Sequence, residues 1–209
     1  MRILITDDHA VVRQGLKRIL GDEFKGATFG EAANCQEALD LVQRQKWDVI
    51  ILDLGLPGRN GLELLKEIRA EQREVPVIVF SMYPEEQFAV RALRAGASGY
   101  LTKESAPEQM AAGVRKVLSG GRYVSPVLAE KLAAELGRDW SREPHEMLSD
   151  REFEILRMIA AGKTVSTIAQ ELSLSIKTVS TYRARTLEKM QLKTTADLIR
   201  YVVERGLGQ

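Results

Sequence analysis

The segment Val49-Ile50-Ile51-Leu52-Asp53 decides the fold of this chain. It is short, apolar up to its last residue, and ends on a carboxylate. A run of this kind is typical of a parallel strand covered on both faces, because neither face then needs polar side chains. Residues 3–6, 75–80 and 98–102 have the same character, and residues 27–32 form a weaker candidate. The chain is therefore predicted to contain five parallel strands.

Longer amphipathic segments separate these strands and are predicted to be helices at residues 10–20, 36–45, 61–72, 85–95 and 106–118. Five such repeats predict a doubly wound α/β domain with right-handed crossovers. After Gly120 the strands stop. A helix at residues 126–136 and a polar stretch up to Met147 are followed by a segment that is helical by period. We expect a first domain at residues 1–119, a linker at 120–147 and an all-α domain at 148–209.

The composition is that of an ordinary globular protein. The 209 residues are 44% hydrophobic and 28% charged, with a formal net charge of +1, which excludes disordered and collagen-like classes. The single cysteine, Cys35, fits a reducing cytosol because it cannot form an internal disulfide. No apolar run approaches the roughly 18 residues that span a bilayer, and the N-terminus becomes acidic where a signal peptide would be apolar. We therefore expect a cytoplasmic protein without a membrane partner.

Polar residues follow four of the predicted strands. Asp7 and Asp8 come after the first strand, and Asp53 ends the third. Ser81 ends the fourth strand, and Lys103 follows the fifth. Ligands of open α/β sheets bind at the carboxyl ends of the strands, so we expect these five residues to meet in one pocket. Any one aspartate could instead be a helix cap or a loop charge, but the five together favour a functional site.

The residue types of this pocket suit phosphoryl chemistry. Three clustered carboxylates repel one another, and Mg²⁺ compensates such charge while accepting a phosphoryl oxygen. Asp53 is the better nucleophile because it ends a central strand before the turn at residues 55–58, and a carboxylate nucleophile forms an acyl phosphate. The adjacent pair Asp7-Asp8 suits metal ligation. Lys103 and Ser81 can hold phosphoryl oxygens.

Residues 1–118 resemble the receiver domain of two-component response regulators, which has a flavodoxin-like fold. The resemblance rests on the order and spacing of Asp7-Asp8-His9, Leu52-Asp53-Leu54, Leu56-Pro57-Gly58, Ser81 and Tyr100-Leu101-Thr102-Lys103. It implies that a histidine kinase phosphorylates Asp53. The implied Mg²⁺ ligands are Asp7, Asp8, Asp53 and the carbonyl of Gly55, and the groups that bind or respond to the phosphoryl group are Ser81, Tyr100 and Lys103. Glu104 departs from the family pattern, because many members have a cis proline there.

The second predicted domain is basic. Residues 148–209 carry ten basic and seven acidic side chains, a net charge of +3, which indicates an anionic partner. Ser149-Asp150-Arg151-Glu152 is a capping box that opens one helix. The residues Val165, Ile168, Ala169 and Leu172 form the buried stripe of a second helix, and Ser173–Ser175 connects it to a third helix at residues 176–190.

The helical period divides this third helix into two sides. It places Ile176, Val179, Leu187 and Met190 on the buried side, together with Arg183. The outer side carries Lys177, Ser180, Thr181, Ala184 and Arg185, along with Glu188. Small, hydroxylic and basic residues suit entry into a DNA major groove. A four-helix module that binds another protein is the alternative.

The segment Lys177-Thr178-Val179-Ser180-Thr181-Tyr182-Arg183, with Leu148-Ser149-Asp150-Arg151-Glu152 upstream, resembles the LuxR-type helix-turn-helix domain over residues 148–206. The two resemblances in this order are those of the NarL/FixJ class of response regulators. They imply double-stranded DNA as a partner, contacted by Lys177, Thr178, Ser180, Thr181, Arg183, Ala184 and Arg185. They also imply a homodimer on phosphorylation, formed through Leu198, Ile199 and Val202 of the last helix.

These features together predict a transcription regulator controlled by phosphorylation, and not an enzyme. A phosphatase of the haloacid dehalogenase class also uses an aspartate and Mg²⁺, but its nucleophile follows the first strand in an Asp-x-Asp motif, and Asp7-Asp8 lacks that spacing. A DNA-binding or interaction protein with a vestigial receiver is the other alternative. The complete acidic set argues against it.

Overall fold

The fold is described from a computed structural model, which covers residues 1–57, 60–130 and 143–207, with Glu86 described without its side chain. Gly58 of the predicted turn, the second half of the predicted linker helix and most of the polar linker lie outside the described residues. The chain forms two compact units, Met1–Gly137 and Arg138–Gln209.

The first unit is built on a parallel sheet whose strand order is β2-β1-β3-β4-β5. Its strands are β1 (Arg2–Thr6), β2 (Thr28–Ala32), β3 (Val49–Leu52), β4 (Val77–Ser81) and β5 (Gly99–Thr102). In the register, Thr6 pairs with Leu52 and Ser81 pairs with Thr102. The strand order reverses between β1 and β3, as in flavodoxin-like folds. The predicted fold class is confirmed.

Five helices cover the two faces of this sheet: α1 (Ala10–Glu23), α2 (Cys35–Arg44), α3 (Gly61–Glu71), α4 (Glu85–Arg94) and α5 (Pro107–Leu118). Leu16 and Leu20 of α1 and Val114 of α5 pack with Ile5 and Ile51 in one core cluster. Because side chains alternate along a strand, the intervening residues face α2, α3 and α4. Helices bury both faces of the central strands, which explains their continuous apolar sequence.

The chain continues past α5 along the edge of β5. Tyr123 donates its backbone N–H to the carbonyl of Ser98 (2.9 Å), and its own carbonyl accepts from the backbone N–H of Tyr100 (3.1 Å). Residues 126–130 are helical and are labelled α6. Ser125 caps them, because its hydroxyl accepts from the backbone N–H of Leu128 (3.1 Å).

The second unit is helical throughout its described part. A 3-10 turn at Pro144–Met147 precedes α7 (Asp150–Ala160), α8 (Val165–Glu171), α9 (Ile176–Lys189) and α10 (Thr195–Glu204). The predicted capping box forms, since the Ser149 hydroxyl accepts from the N–H of Glu152 and the Glu152 carboxylate accepts from the N–H of Ser149. Ser173, with φ of 52°, makes the left-handed turn between α8 and α9.

The buried side of α9 differs from the predicted one. Val179, Thr186 and Met190 are buried, whereas Ile176 is 59% exposed. Ile176 lies at the start of the helix and to one side of these three residues. They share one face because Val179 and Thr186 are about two turns apart, and Thr186 and Met190 about one turn. Thr186 can be buried because its hydroxyl donates to the carbonyl of Tyr182 (2.9 Å).

Candidate functional site

The loops after β1 and β3 meet where the strand order reverses. The backbone N–H of Asp53 donates to the carbonyl of Thr6 (2.9 Å), and the N–H of Asp7 donates to the carbonyl of Ala32 (3.1 Å). These bonds continue the sheet ladder and place Asp7 and Asp53 on adjacent strand ends. Both side chains are almost fully buried. The topology therefore brings together two of the predicted acidic residues.

Lys103 lies between these two carboxylates. Its Nζ is 2.7 Å from Oδ2 of Asp53 and 2.7 Å from Oδ2 of Asp7. The contact with Asp53 has the geometry of a hydrogen bond. Oδ2 of Asp7 accepts no well-aligned hydrogen bond, so the contact between Lys103 and Asp7 is an ion pair. Burial would lower the pKa of Lys103, but the contacts with Asp53 and Asp7 and their negative charges outweigh it, and the pKa is raised. Lys103 therefore carries a positive charge at neutral pH, and it lies between the two buried carboxylates of the pocket.

Asp8 lies at the open side of the pocket with His9. The His9 ring Nδ1 is 2.7 Å from Oδ1 of Asp8 and 3.4 Å from Oδ1 of Asp7. Ligand atoms of Asp7, Asp8 and His9 lie within 4.8 Å of one another, and Asp53 is linked to this cluster through Lys103. Hard carboxylate oxygens, one of them buried without a well-aligned donor, fit a hard cation such as Mg²⁺.

The backbone around Asp53 is tightly specified. Gly55 donates its N–H to Oδ1 of Asp53 (3.0 Å), so both carboxylate oxygens of Asp53 have a partner. Helix α3 begins with Gly61, and Asn60 caps it by accepting from the N–H of Leu62 (2.8 Å). Helix α1 is preceded by His9, whose side chain accepts no capping hydrogen bond. Asp7, Asp8 and Asp53 are therefore not the caps of α1 and α3.

Ser81 and Tyr100 are both buried and are connected through the backbone of Tyr83. The Ser81 hydroxyl accepts from the N–H of Tyr83 (3.3 Å), and the Tyr100 hydroxyl donates to the carbonyl of Tyr83 (2.8 Å). The ring of Tyr83 stacks on Phe88 of α4 at 4.5 Å between centroids. Sequence reasoning did not assign this connecting role to Tyr83, because backbone groups leave no signal in the residue type. The peptide between Lys103 and Glu104 is trans.

Helix α9 presents a polar face with the predicted residues. Lys177, Thr181, Ala184 and Arg185 are exposed, and Ser180 is half-buried. The hydroxyl of Thr181 donates to the carbonyl of Lys177 (2.9 Å).

The two other predicted DNA contacts lie away from this exposed set. Thr178 is half-buried, and its hydroxyl is 2.7 Å from that of Ser175, the cap of α9. Arg183 is also half-buried, and its Nε is buried with no hydrogen-bond partner among the described residues. The exposed face of α9 thus holds fewer residues than the resemblance implies as DNA contacts, and Arg183 lies on the side where the helical period placed it.

Two of the three residues predicted for the dimer contact on α10 are buried. Leu198 and Val202 are fully buried in their own unit, where α10 packs against α7. Side chains without accessible surface cannot form a contact with a second chain unless the domain opens. Ile199 is exposed, and so is Val203, which was not predicted. Of the three predicted dimer residues, Ile199 alone is accessible.

Comparisons with known proteins agree with this geometry. The family model described as the response regulator receiver domain matches residues 3–115, and the model for bacterial regulatory proteins of the luxR family matches residues 146–202. Response regulator GacA of Pseudomonas aeruginosa is 36% identical over 208 residues, covering 99% of this chain and 97% of GacA. The chain belongs to the response regulators of the NarL/FixJ class. Response regulator UvrY of Escherichia coli is 33% identical, with 99% of this chain and 95% of UvrY covered.

Solved structures of other response regulators match this response regulator as well. RcsB from Salmonella enterica serovar Typhimurium, bound to promoter rprA in the presence of phosphomimetic BeF3−, is 26% identical with a TM-score of 0.67, covering 97% of this chain and 98% of RcsB. A LuxR-family response regulator from Aurantimonas sp. SI85-9A1 is 36% identical with a TM-score of 0.59, covering 66% of this chain and 98% of that one. In the part that the structure describes, no helix of this response regulator is both long and apolar enough to cross a membrane.

Proposed function

We propose that this response regulator takes a phosphoryl group from a histidine kinase onto Asp53 and regulates transcription by binding promoter DNA. One observation supports the phosphorylation of Asp53. Asp53 is a buried carboxylate at the point where the strand order reverses, and its Oδ2 is held by Lys103 at 2.7 Å. A nucleophile at that position can be reached from the carboxyl ends of the strands, and it has a cation beside it.

The transfer is a displacement at phosphorus. A carboxylate oxygen of Asp53 forms the new O–P bond, the N–P bond of the phosphohistidine of the kinase breaks, and the departing imidazole nitrogen takes up a proton. Asp7, Asp8, Asp53 and the Gly55 carbonyl would hold Mg²⁺, which when bound neutralises negative charge on the transferred group. Lys103, now paired with both Asp7 and Asp53, has the charge and the position to bind a phosphoryl oxygen.

The response to phosphorylation would pass through Tyr83. The new group brings about −1.5 to −2 charges. The Ser81 hydroxyl accepts from the N–H of Tyr83 and keeps its own proton available for a phosphoryl oxygen. A shift of Ser81 would then move the N–H of Tyr83, and with it the next peptide group, whose carbonyl accepts from the hydroxyl of Tyr100. We infer that this pair couples the pocket to the start of α4.

The second half of the proposal assigns DNA binding to α9. Promoter complexes of RcsB support it, since they match over 97% of this chain. Lys177 and Arg185, long cations on the exposed face, would bind phosphates, and Ser180, Thr181 and Ala184 would approach base edges. Because the Thr181 hydroxyl already donates to the carbonyl of Lys177, it would act on a base as an acceptor or through its methyl group. Thr178 and Arg183 remain proposed contacts that would need to turn outward.

Domain bounds, assembly and location follow the same proposal. We assign the receiver to residues 1–119, the linker to 120–147 and the DNA-binding domain to 148–209. A homodimer on phosphorylation would use Ile199 of α10, and a RcsB structure described as two dimers bound to two parallel DNAs supports pairing in a relative. A kinase that phosphorylates the receiver and chromosomal DNA as a target would place the protein in the cytoplasm.

Intact-mass measurement after incubation with acetyl phosphate and Mg²⁺ tests the proposal. Wild type should gain one phosphoryl group and Asp53→Asn none. Asp22→Asn is the matched control, because Asp22 is 77% exposed near the far end of α1, and it should be labelled like wild type. Continuous hydrolysis of the donor without a lasting adduct would instead indicate a phosphatase. Absence of any labelling would indicate a vestigial receiver.

A further inference from the structure

Arg13 of α1 lies against the loop that carries Asp7 and Asp8. Its guanidinium NH1 donates to the backbone carbonyl of Asp7 (2.7 Å), and its Nε donates to Oε2 of Glu31 in β2 (3.1 Å). The side chain is 15% exposed. Lys17, one turn further along α1, binds the other oxygen of Glu31 at 2.6 Å. Arg13 thus bridges the acidic loop to a neighbouring strand and is itself held in place.

The Asp7 carbonyl belongs to the peptide that joins Asp7 to Asp8. Because a peptide group is planar, a fixed carbonyl direction fixes the direction in which the chain enters Asp8. The N–H of Asp7 is bound to the carbonyl of Ala32 (3.1 Å), so bonds on both sides of Asp7 tie it to β2. Lys103 and the backbone N–H of His9 also contact Asp7, but both reach its carboxylate. Arg13 instead holds the carbonyl that leads to Asp8.

We propose that Arg13 is a positioning residue of the Mg²⁺ site. It holds the Asp7–Asp8 peptide so that both carboxylates face one cation. This inference rests on the proposed function, because it assigns Mg²⁺ to these two carboxylates. It is not a ligand role, since a guanidinium cannot bind a cation.

The positive charge of Arg13 is the obvious objection, because it would repel Mg²⁺. Glu31 answers it by pairing with the guanidinium. The hydrogen bond from Lys17, with that from Arg13, outweighs burial and lowers the pKa of Glu31, so this carboxylate stays charged at neutral pH. Arg13 can therefore hold the Asp7–Asp8 peptide while Glu31 compensates much of the positive charge of its guanidinium. Partners that orient metal ligands typically change metal affinity about 10–100-fold when they are removed.

Calorimetric titration of the full chain with Mg²⁺ tests the inference. Arg13→Ala should raise the Kd for Mg²⁺ about 10-fold. Arg13→Lys should recover part of this, because an ammonium reaches one of the two acceptors at a time. Arg18→Ala is the matched control, since Arg18 is an exposed arginine of the same helix, and it should bind like wild type. At saturating Mg²⁺ the labelling of Arg13→Ala by acetyl phosphate should approach the wild-type rate.

The outcomes separate the inference from the proposed function. If wild type binds Mg²⁺ and is labelled, but Arg13→Ala binds Mg²⁺ within twofold of Arg18→Ala, the positioning role is overturned. Tighter binding by Arg13→Ala would overturn it too, because charge repulsion would then dominate. If wild type neither binds Mg²⁺ nor takes up phosphoryl, the proposed function itself fails and the inference falls with it. Should Arg13→Ala not fold, Arg13→Lys decides, with unchanged affinity counting against the proposal.

Discussion

Gly61, at the start of α3, is the position where one added carbon should disturb the pocket most. A Cβ there would lie 2.5 Å from Cα of Leu54 and 2.9 Å from the carbonyl oxygen of Asp53. Both are backbone atoms of the loop that carries the proposed acceptor, and they cannot rotate away as a side chain would. The loop must therefore shift by about 1 Å to restore an ordinary contact of 3.4 Å.

We expect Gly61→Ala to destabilise the first unit by about 1.5–4.5 kcal/mol. Overpacking a buried site costs about 1–3 kcal/mol, and the hydrogen bond from the N–H of Gly61 to the carbonyl of Leu54 (3.3 Å) is disturbed as well, which adds about 0.5–1.5 kcal/mol. Labelling of Asp53 by acetyl phosphate should slow with it. Gly15→Ala is the matched control, because its Cβ would meet no atom within 4 Å on the exposed side of α1, and it should stabilise by about 0.5–1 kcal/mol.

Urea unfolding measures both variants. Fluorescence of Trp47, which is buried beside Gly30 in the first unit, reports on that unit in a Trp140→Phe background. Wild type in the same background is the reference. Equal stability of Gly61→Ala and wild type would refute the argument, and so would a loss of stability in Gly15→Ala as large as that in Gly61→Ala.

Three further predictions concern metal, DNA and stability. Asp8→Ala should weaken Mg²⁺ binding and slow labelling without removing the acceptor, and an unchanged Mg²⁺ titration would contradict this. Lys177→Ala should weaken binding to all DNA sequences and reduce the slope of log affinity against log salt concentration by about one unit. Thr181→Ala should instead change discrimination between DNA sites by about 1–3 kcal/mol. Gel-shift titrations at several salt concentrations separate the two effects. Glu152→Ala should destabilise the second unit by about 1–2 kcal/mol at pH 7, because it loses a capping contact and the ion pair with Lys189 (2.7 Å). Burial would raise the pKa of Glu152, but the hydrogen bonds from Lys189 and Ser149 lower it. The stability that Glu152 contributes is therefore present above about pH 4.3 and is lost as pH falls through the lowered pKa. Urea unfolding at pH 7 and below pH 4 should show this loss of stability in wild type and not in Glu152→Ala.

The sequence predicts the sheet well because buried parallel strands leave an unbroken apolar run. It placed β4 two residues early, at 75–80, since Val75 continues that run. The structure begins β4 at Val77, after Pro76, which has no N–H to donate to the ladder and accepts instead from Ile50. The pocket was predictable for a related reason. In a parallel sheet the strand ends determine which loops meet, and the structure brings Asp7, Asp53 and Lys103 into direct contact.

Features that depend on backbone groups were not predictable. The bond from Arg13 to the Asp7 carbonyl and the connecting role of Tyr83 both use main-chain atoms that every residue has. Val179 and Met190 of α9 are buried as predicted, but the burial of Thr186 was missed for another reason. Thr186 satisfies its hydroxyl within its own helix, so a polar residue type gave no sign of burial. The dimer residues Leu198 and Val202 illustrate the reverse case, because an apolar helix side can face its own domain as easily as a second chain.

The measurement that tests the central claim most directly is promoter binding with and without phosphorylation. The DNA would be a promoter fragment that the protein binds, selected from genomic fragments. Wild type treated with acetyl phosphate and Mg²⁺ should bind that fragment more tightly than untreated protein, and Asp53→Asn should show the same affinity under both conditions. Phosphorylated wild type that binds no fragment better than untreated protein, or an Asp53→Asn variant that still responds to the donor, would contradict the account.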